Sequence, residues 1–92
     1  MSGRLENRAA IITGGAGGIG AATGSLFCEQ GASVMLVDSD SDAMRETTAR
    51  IREAAPRARV VSVVGDVAGE ETAREVVTET RKAFGAIDVL VN

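Results

Sequence analysis

Five of the eight residues in Thr13-Gly14-Gly15-Ala16-Gly17-Gly18-Ile19-Gly20 are glycine. Such a density restricts what the chain can build there. Glycine alone lets a backbone turn sharply, approach a partner without a Cβ in the way, and present free N–H groups from a helix start. Those are the three demands of gripping a pyrophosphate. Gly15-Ala16-Gly17-Gly18-Ile19-Gly20 satisfies G-x-G-x-x-G, a weak signal alone that gains force when it leaves a strand and opens a helix. The plain alternative is a flexible connector. A triphosphate-binding loop would need Lys and then Ser or Thr after the last glycine, and Ala21 and Ala22 stand there instead.

The flanking residues supply that context. Arg8 to Thr13 (RAAIIT) is a short apolar run that fits a strand buried on both faces. From Ile19 the apolar residues Ile19, Ala22, Leu26 and Phe27 recur at helical spacing until Gly31, a residue suited to ending a helix. Ser33 to Asp38 (SVMLVD) is a second strand, and Ser39, Asp40 and Ser41 offer oxygens to cap the helix expected over 42–54. That helix carries Ala43, Met44, Thr47 and Ile51 on one stripe and has stopped by Pro56. Arg59 to Val64 is a third strand by its β-branched content. A third helix over 70–84 has Ala73, Val76, Val77 and Phe84 as its expected buried face and Gly85 as its stop, and Ile87 to Asn92 opens a fourth strand.

Strands and helices alternating at this pitch close as right-handed crossovers, giving an α/β fold with a parallel sheet covered on both faces. The expected class is the amino-terminal half of a Rossmann-type doubly wound sheet with strand order 3-2-1-4. Ligands of such sheets bind beyond the carboxyl ends of the strands.

Composition narrows the function. A hydrophobic share of 45% and a charged share of 25% are globular values, and 92 residues make at most one domain. The net charge is −3 with the cations scattered, which argues against a nucleic-acid surface. Met1 to Glu6 carries no apolar leader core, and no run approaches the roughly 20 apolar residues of a membrane span, so a cytoplasmic setting is expected. Cys28 is the single cysteine and reads as a small core filler rather than a reactive thiol. There is no His, Tyr or Trp and one lysine, Lys82, so general bases and activated nucleophiles are scarce. Neither a catalytic residue nor a metal site is assigned.

Asp38 closes the second strand 18 residues beyond Gly20, near the distance at which a dinucleotide fold places the acid that accepts both ribose hydroxyls of an adenosine. The same carboxylate repels a 2′-phosphate, and neither Gly17 nor Ser39 offers a cation, so NAD is expected ahead of NADP. Capping the next helix is the competing role for Asp38.

These segments resemble the amino-terminal half of the short-chain dehydrogenase/reductase family. Thr13-Gly14-x-x-x-Gly18-Ile19-Gly20 is similar to the family's T-G-x-x-x-G-I-G loop, Asp66-Val67 to its adenine-contacting pair, and Asp88-Val89-Leu90-Val91-Asn92 to its D-x-L-V-N-N-A-G stretch. The likeness runs from about Arg4 to Asn92. It implies that Gly14, Gly18, Ile19 and Gly20 cradle the pyrophosphate, Asp38 takes the ribose, and Asp66 and Val67 flank the adenine. Asn92 would lie near the cofactor and steady the central strand. Asp66 as a cap of the third helix stays open.

The resemblance further implies hydride transfer between a nicotinamide and a carbonyl or alcohol carbon, in a homo-oligomer, dimer or tetramer. The family's tyrosine, its lysine four residues on, and its serine and asparagine partners have no counterpart here. Residues 1–92 are therefore expected to be an incomplete NAD(P)-binding domain, inactive alone, with the fourth strand's edge uncovered. Two other readings stand beside this one. A non-catalytic NAD-binding or assembly module is distinguished by the lack of a later Tyr-x-x-x-Lys, and a methyltransferase using S-adenosylmethionine does not account for Thr13 or the Ile19-Gly20 ending.

Overall fold

The computed structural model describes residues 5–92, so Met1 to Arg4, where the resemblance begins, lie outside the described residues. The elements are β1 (Ala9–Thr13), α1 (Gly18–Glu29), β2 (Ser33–Asp38), α2 (Ser41–Ala54), β3 (Val60–Val64), α3 (Glu70–Phe84) and β4 (Val89–Val91). They form one four-stranded sheet in the order β3-β2-β1-β4 with every pair parallel, the expected topology. Most boundaries fall within two residues of those read from the sequence. The fourth strand is shorter, three residues where six were expected.

Alternate residues of each strand serve opposite faces. Ile12, Val34, Leu36 and Val60 meet Cys28, Met44 and Ile51 beneath α1 and α2, while Ile11, Met35, Val37 and Val63 meet Val76 beneath α3. Two cores on one sheet explain why β1 and β2 read as unbroken apolar runs: every residue from Val34 to Val37 is at most 1% exposed. β3 is an edge strand and alternates, with Val63 buried and Val64 exposed. Gly24 lets α1 lie close to the sheet, since a Cβ there would come within 3.1 Å of Leu36 and 3.5 Å of Ile51.

Two expectations about the helices need correction. On α3 the buried line is Val76 and Thr80, with Phe84 half-buried, while Ala73 and Val77 are exposed beside β4. Thr80 can be wholly buried because its hydroxyl donates to the Val76 carbonyl one turn back at 2.6 Å. On α1 the residues turned inward are Gly24 and Cys28, whereas Ile19 and Leu26 face outward. No helix among the described residues is long and apolar enough to cross a membrane.

The register aligns the functional ends of the strands. Thr13 pairs with Val37, Asp38 with Val64 and Ile12 with Val91, so the chain leaves all four strands along one edge of the sheet. The chain runs outward from β1 to β2 and β3 and then crosses back to place β4 on the other side of β1, so the carboxyl end of β1 lies at the switch point.

Candidate functional site

The loop leaving β1 is built from main-chain contacts that discriminate among its glycines. Gly14 has φ +68°, a conformation that side chains rarely adopt. The Gly15 amide donates to the Val37 carbonyl at 3.0 Å, and a Cβ on Gly15 would sit 2.8 Å from that of Leu36. The Gly17 amide donates to the Gly14 carbonyl at 3.1 Å, and a Cβ on Gly20 would lie only 2.1 Å from that same oxygen. Gly14, Gly15 and Gly20 are therefore required by the fold itself. Gly18 is different: it is the first residue of α1, and a Cβ there would meet nothing within 4 Å.

That helix start is bare. The N-cap Gly17 has no side chain to cap with, and the first turn contains no acid. The first amides of a helix have no partner within it, and among the described residues none is found for those of Gly18, Ile19 and Gly20. α2 contrasts with it: Asp40 accepts from the Ala43 amide at 3.0 Å and Asp42 sits in the first turn. A helix opening with uncompensated amides and its positive dipole end favours an anion.

The other expected residues gather around this loop. Asp38 accepts from the Ala16 amide through Oδ2 and from the Asp40 amide through Oδ1, each at 3.1 Å. The α2 cap is Asp40, so Asp38 is not spent on that role. The Gly65 amide donates to the Asp38 carbonyl at 3.0 Å and so brings Asp66 alongside. Asp66 accepts from the Ala68 amide at 2.9 Å in a turn that precedes α3, whose N-cap is Gly69. Val67 is half-exposed beside it.

On the opposite side of the loop, the Thr13 hydroxyl lies 3.2 Å from the Val91 carbonyl and 3.3 Å from Asn92 Oδ1, joining the ends of β1 and β4. Gly14, Gly18, Ile19 and Asn92 line an open cleft of about 510 Å³, into which Ile19 stands 87% exposed. Gly17 and Gly18 also line the groove between α1 and α2, where Arg50 is paired with Glu46 at 2.8 Å. All eight residues read from the sequence thus fall along one edge of the sheet. The sequence did not single out Ala16, whose contribution is a backbone N–H, or Arg50, which is distant in sequence from the loop. Away from this edge, burial, aided by Glu29, pushes the Cys28 thiol up from 9.0 to about 11.

Comparison with known proteins agrees with this geometry. A family model described as short chain dehydrogenase matches residues 8–92. Levodione reductase of Leifsonia aquatica is 38% identical over 89 residues, covering 97% of this chain and 33% of its own length. The glucose dehydrogenase of Caenorhabditis elegans superposes with a TM-score of 0.90 at 38% identity, over 97% of this chain and 38% of that one. The L-sorbose reductase of Gluconobacter frateurii, solved with NADPH and L-sorbose, superposes with a TM-score of 0.90 at 36% identity, over all of this chain and 35% of that one. The chain spans about a third of the length of the relatives it matches. With its loop, its strand order and a family match over nearly its whole length, the chain belongs to the short chain dehydrogenase family.

Proposed function

We propose that this chain is the cofactor-binding part of an oxidoreductase that moves a hydride between NAD(H) and a carbonyl or alcohol carbon. The observation that carries the reading is Gly18. Gly14, Gly15 and Gly20 need to be glycine for the loop to close, yet a side chain at Gly18 would project into open space. A ligand seated on the bare amides of α1 gives that glycine a reason to be there.

In this reading Gly14, Gly18, Ile19 and Gly20 hold the diphosphate. Asp38 accepts the adenosine ribose hydroxyls, Asp66 and Val67 flank the adenine, and Asn92 stands at the nicotinamide side of the loop. The bound dinucleotide supplies the hydride donor or acceptor. The sequence contains no tyrosine, so the acid or base that the family draws from that residue is not provided by these 92 residues. The chain alone is accordingly inactive. A homo-oligomer is the assembly the family resemblance implies, and a cytoplasmic setting is the one the sequence leads us to expect.

Preference for NAD over NADP follows from charge. A 2′-phosphate would add close to two negative charges beside the Asp38 carboxylate, and the Arg50 guanidinium in the neighbouring groove is already paired with Glu46. The L-sorbose reductase neighbour was solved with NADPH, so likeness of fold does not choose the cofactor and the local side chains must. Titration of the chain with NADH and NADPH, followed by the fluorescence of the reduced nicotinamide, tests both parts. NADH is expected to bind at least about tenfold more tightly, a difference of roughly 1.4 kcal/mol. Tighter NADPH binding overturns the role of Asp38, and binding of neither overturns the site.

A further inference from the structure

Asp38 is engaged before any ligand arrives. Its Oδ2 accepts from the Ala16 amide, 22 residues away in sequence, and its Oδ1 accepts from the Asp40 amide. Ala16 lies in the bend just ahead of the bare amides of Gly18, Ile19 and Gly20, and Asp40 is the residue that caps α2. One side chain therefore fastens the glycine loop to the end of β2 and to the start of α2. Within the bend itself, the Gly15 amide donates to Val37 and the Gly17 amide to Gly14, main chain to main chain. Each carboxylate oxygen offers roughly two acceptor positions, so accepting one amide apiece still leaves one position per oxygen for a hydroxyl.

We propose that Asp38 is a positioning residue for the diphosphate half of the site as well as an acceptor for the sugar. By holding Ala16 it fixes the direction of the loop, so that the amides opening α1 converge on one anion. The inference rests on the reading of that loop as a diphosphate cradle. It makes a prediction opposite in sign to simple electrostatics. A carboxylate beside an anion repels it, so if Asp38 served only the sugar, removing its charge would improve binding of a diphosphate that lacks ribose hydroxyls. If Asp38 positions the loop, removal weakens that binding. The same coupling bears on cofactor preference: Asp38→Ala relieves repulsion of a 2′-phosphate but slackens the grip on the diphosphate, so NADPH affinity should rise by less than NADH affinity falls.

The probe is 2′,3′-dideoxyadenosine diphosphate, which keeps base and diphosphate but has neither hydroxyl, with ADP as reference, titrated into the full chain at fixed ionic strength. Asp38→Ala is expected to weaken dideoxy-ADP binding about tenfold, the loss of one charge-assisted hydrogen bond. Asp38→Asn, whose amide oxygen still accepts from Ala16, should retain most of it. Dideoxy-ADP bound equally or more tightly by Asp38→Ala overturns the proposal. So does an Ala16 amide that exchanges with solvent in the unsubstituted chain as fast as in an unstructured peptide, a measurement that needs no variant. Failure of the unsubstituted chain to bind ADP at all would instead overturn the diphosphate cradle.

Discussion

Two glycines two residues apart should respond to the same substitution in opposite ways. At Gly18, the first residue of α1, a Cβ meets nothing within 4 Å, and the φ is not left-handed. Gly18→Ala therefore removes unfolded-chain entropy without strain, a gain of about 0.4–1 kcal/mol. For a domain of this size that corresponds to a rise in Tm of roughly 2–6 °C. At Gly20 the added Cβ would lie 2.1 Å from the Gly14 carbonyl oxygen, so the loop must move. Overpacking of this kind costs about 1–3 kcal/mol, a fall of roughly 5–20 °C. Binding separates them differently. A methyl on Gly18 stands in the space the diphosphate is proposed to fill, and loss of two charge-assisted hydrogen bonds at about 1.5 kcal/mol each weakens NADH about 100-fold. Thermal melts by circular dichroism and NADH titrations of both variants provide the measurement. A Gly18→Ala protein that is destabilised like Gly20→Ala, or that binds NADH unchanged, would refute the division between glycines the fold requires and the one the ligand requires.

Three further outcomes follow from the packing. Asp88 Oδ2 accepts the Ala9 amide at 2.9 Å where Ala9 is buried, so Asp88→Ala should cost about 1–3 kcal/mol, seen as a lower urea midpoint at unchanged slope, while Asp88→Asn should lose less; an unmoved midpoint in Asp88→Ala would contradict the assignment. Because burial raises the Cys28 thiol from 9.0 to about 11, the folded state holds its proton more tightly than the unfolded state, so this residue's contribution is complete below pH 9 and fades as pH rises toward 11. Replacing Cys28 with Ala should flatten stability across that window, and a slope identical in both proteins would dismiss the cause. Leu90 is 62% exposed on an edge strand and Val77 stands exposed on the neighbouring helix, so the chain should self-associate as its concentration rises, and Leu90→Lys should suppress this in sedimentation velocity.

How far the sequence could be read depended on whether neighbours within the chain or across the fold decided the outcome. β1 and β2 are bounded by turns and buried on both faces, so their apolar runs alone marked them, and the alternation of strands with helices then left one reasonable strand order. α3 was legible in its extent but not in its rotation. Ala73 and Val77 are apolar, and Thr80 reads as polar, yet the helix turns Thr80 inward because its hydroxyl is satisfied by its own backbone. The five loop glycines look alike as letters. Only the positions of Leu36 and the Gly14 carbonyl show that Gly15 and Gly20 answer to the protein, whereas Gly18 does not.

The site's asymmetry follows from the same topology. Connections leave β1 toward β2 on one side, and β4 arrives on the other, so the glycine loop stands between two differently built flanks. The β2 and β3 flank carries Asp38 and Asp66, carboxylates already oriented by backbone amides and suited to accepting hydroxyls and amines. The β4 flank carries Ile19 and Asn92, an apolar side chain and a neutral amide. A ligand straddling the loop therefore meets hydrogen-bond acceptors with one half and a nearly uncharged surface with the other, while its central anion faces the helix start. A dinucleotide whose adenosine is recognised by hydrogen bonds, and whose nicotinamide alternates between a charged and a neutral ring, matches that division. A symmetric polyanion would not, because both of its ends would have to come to rest beside carboxylates or on apolar surface.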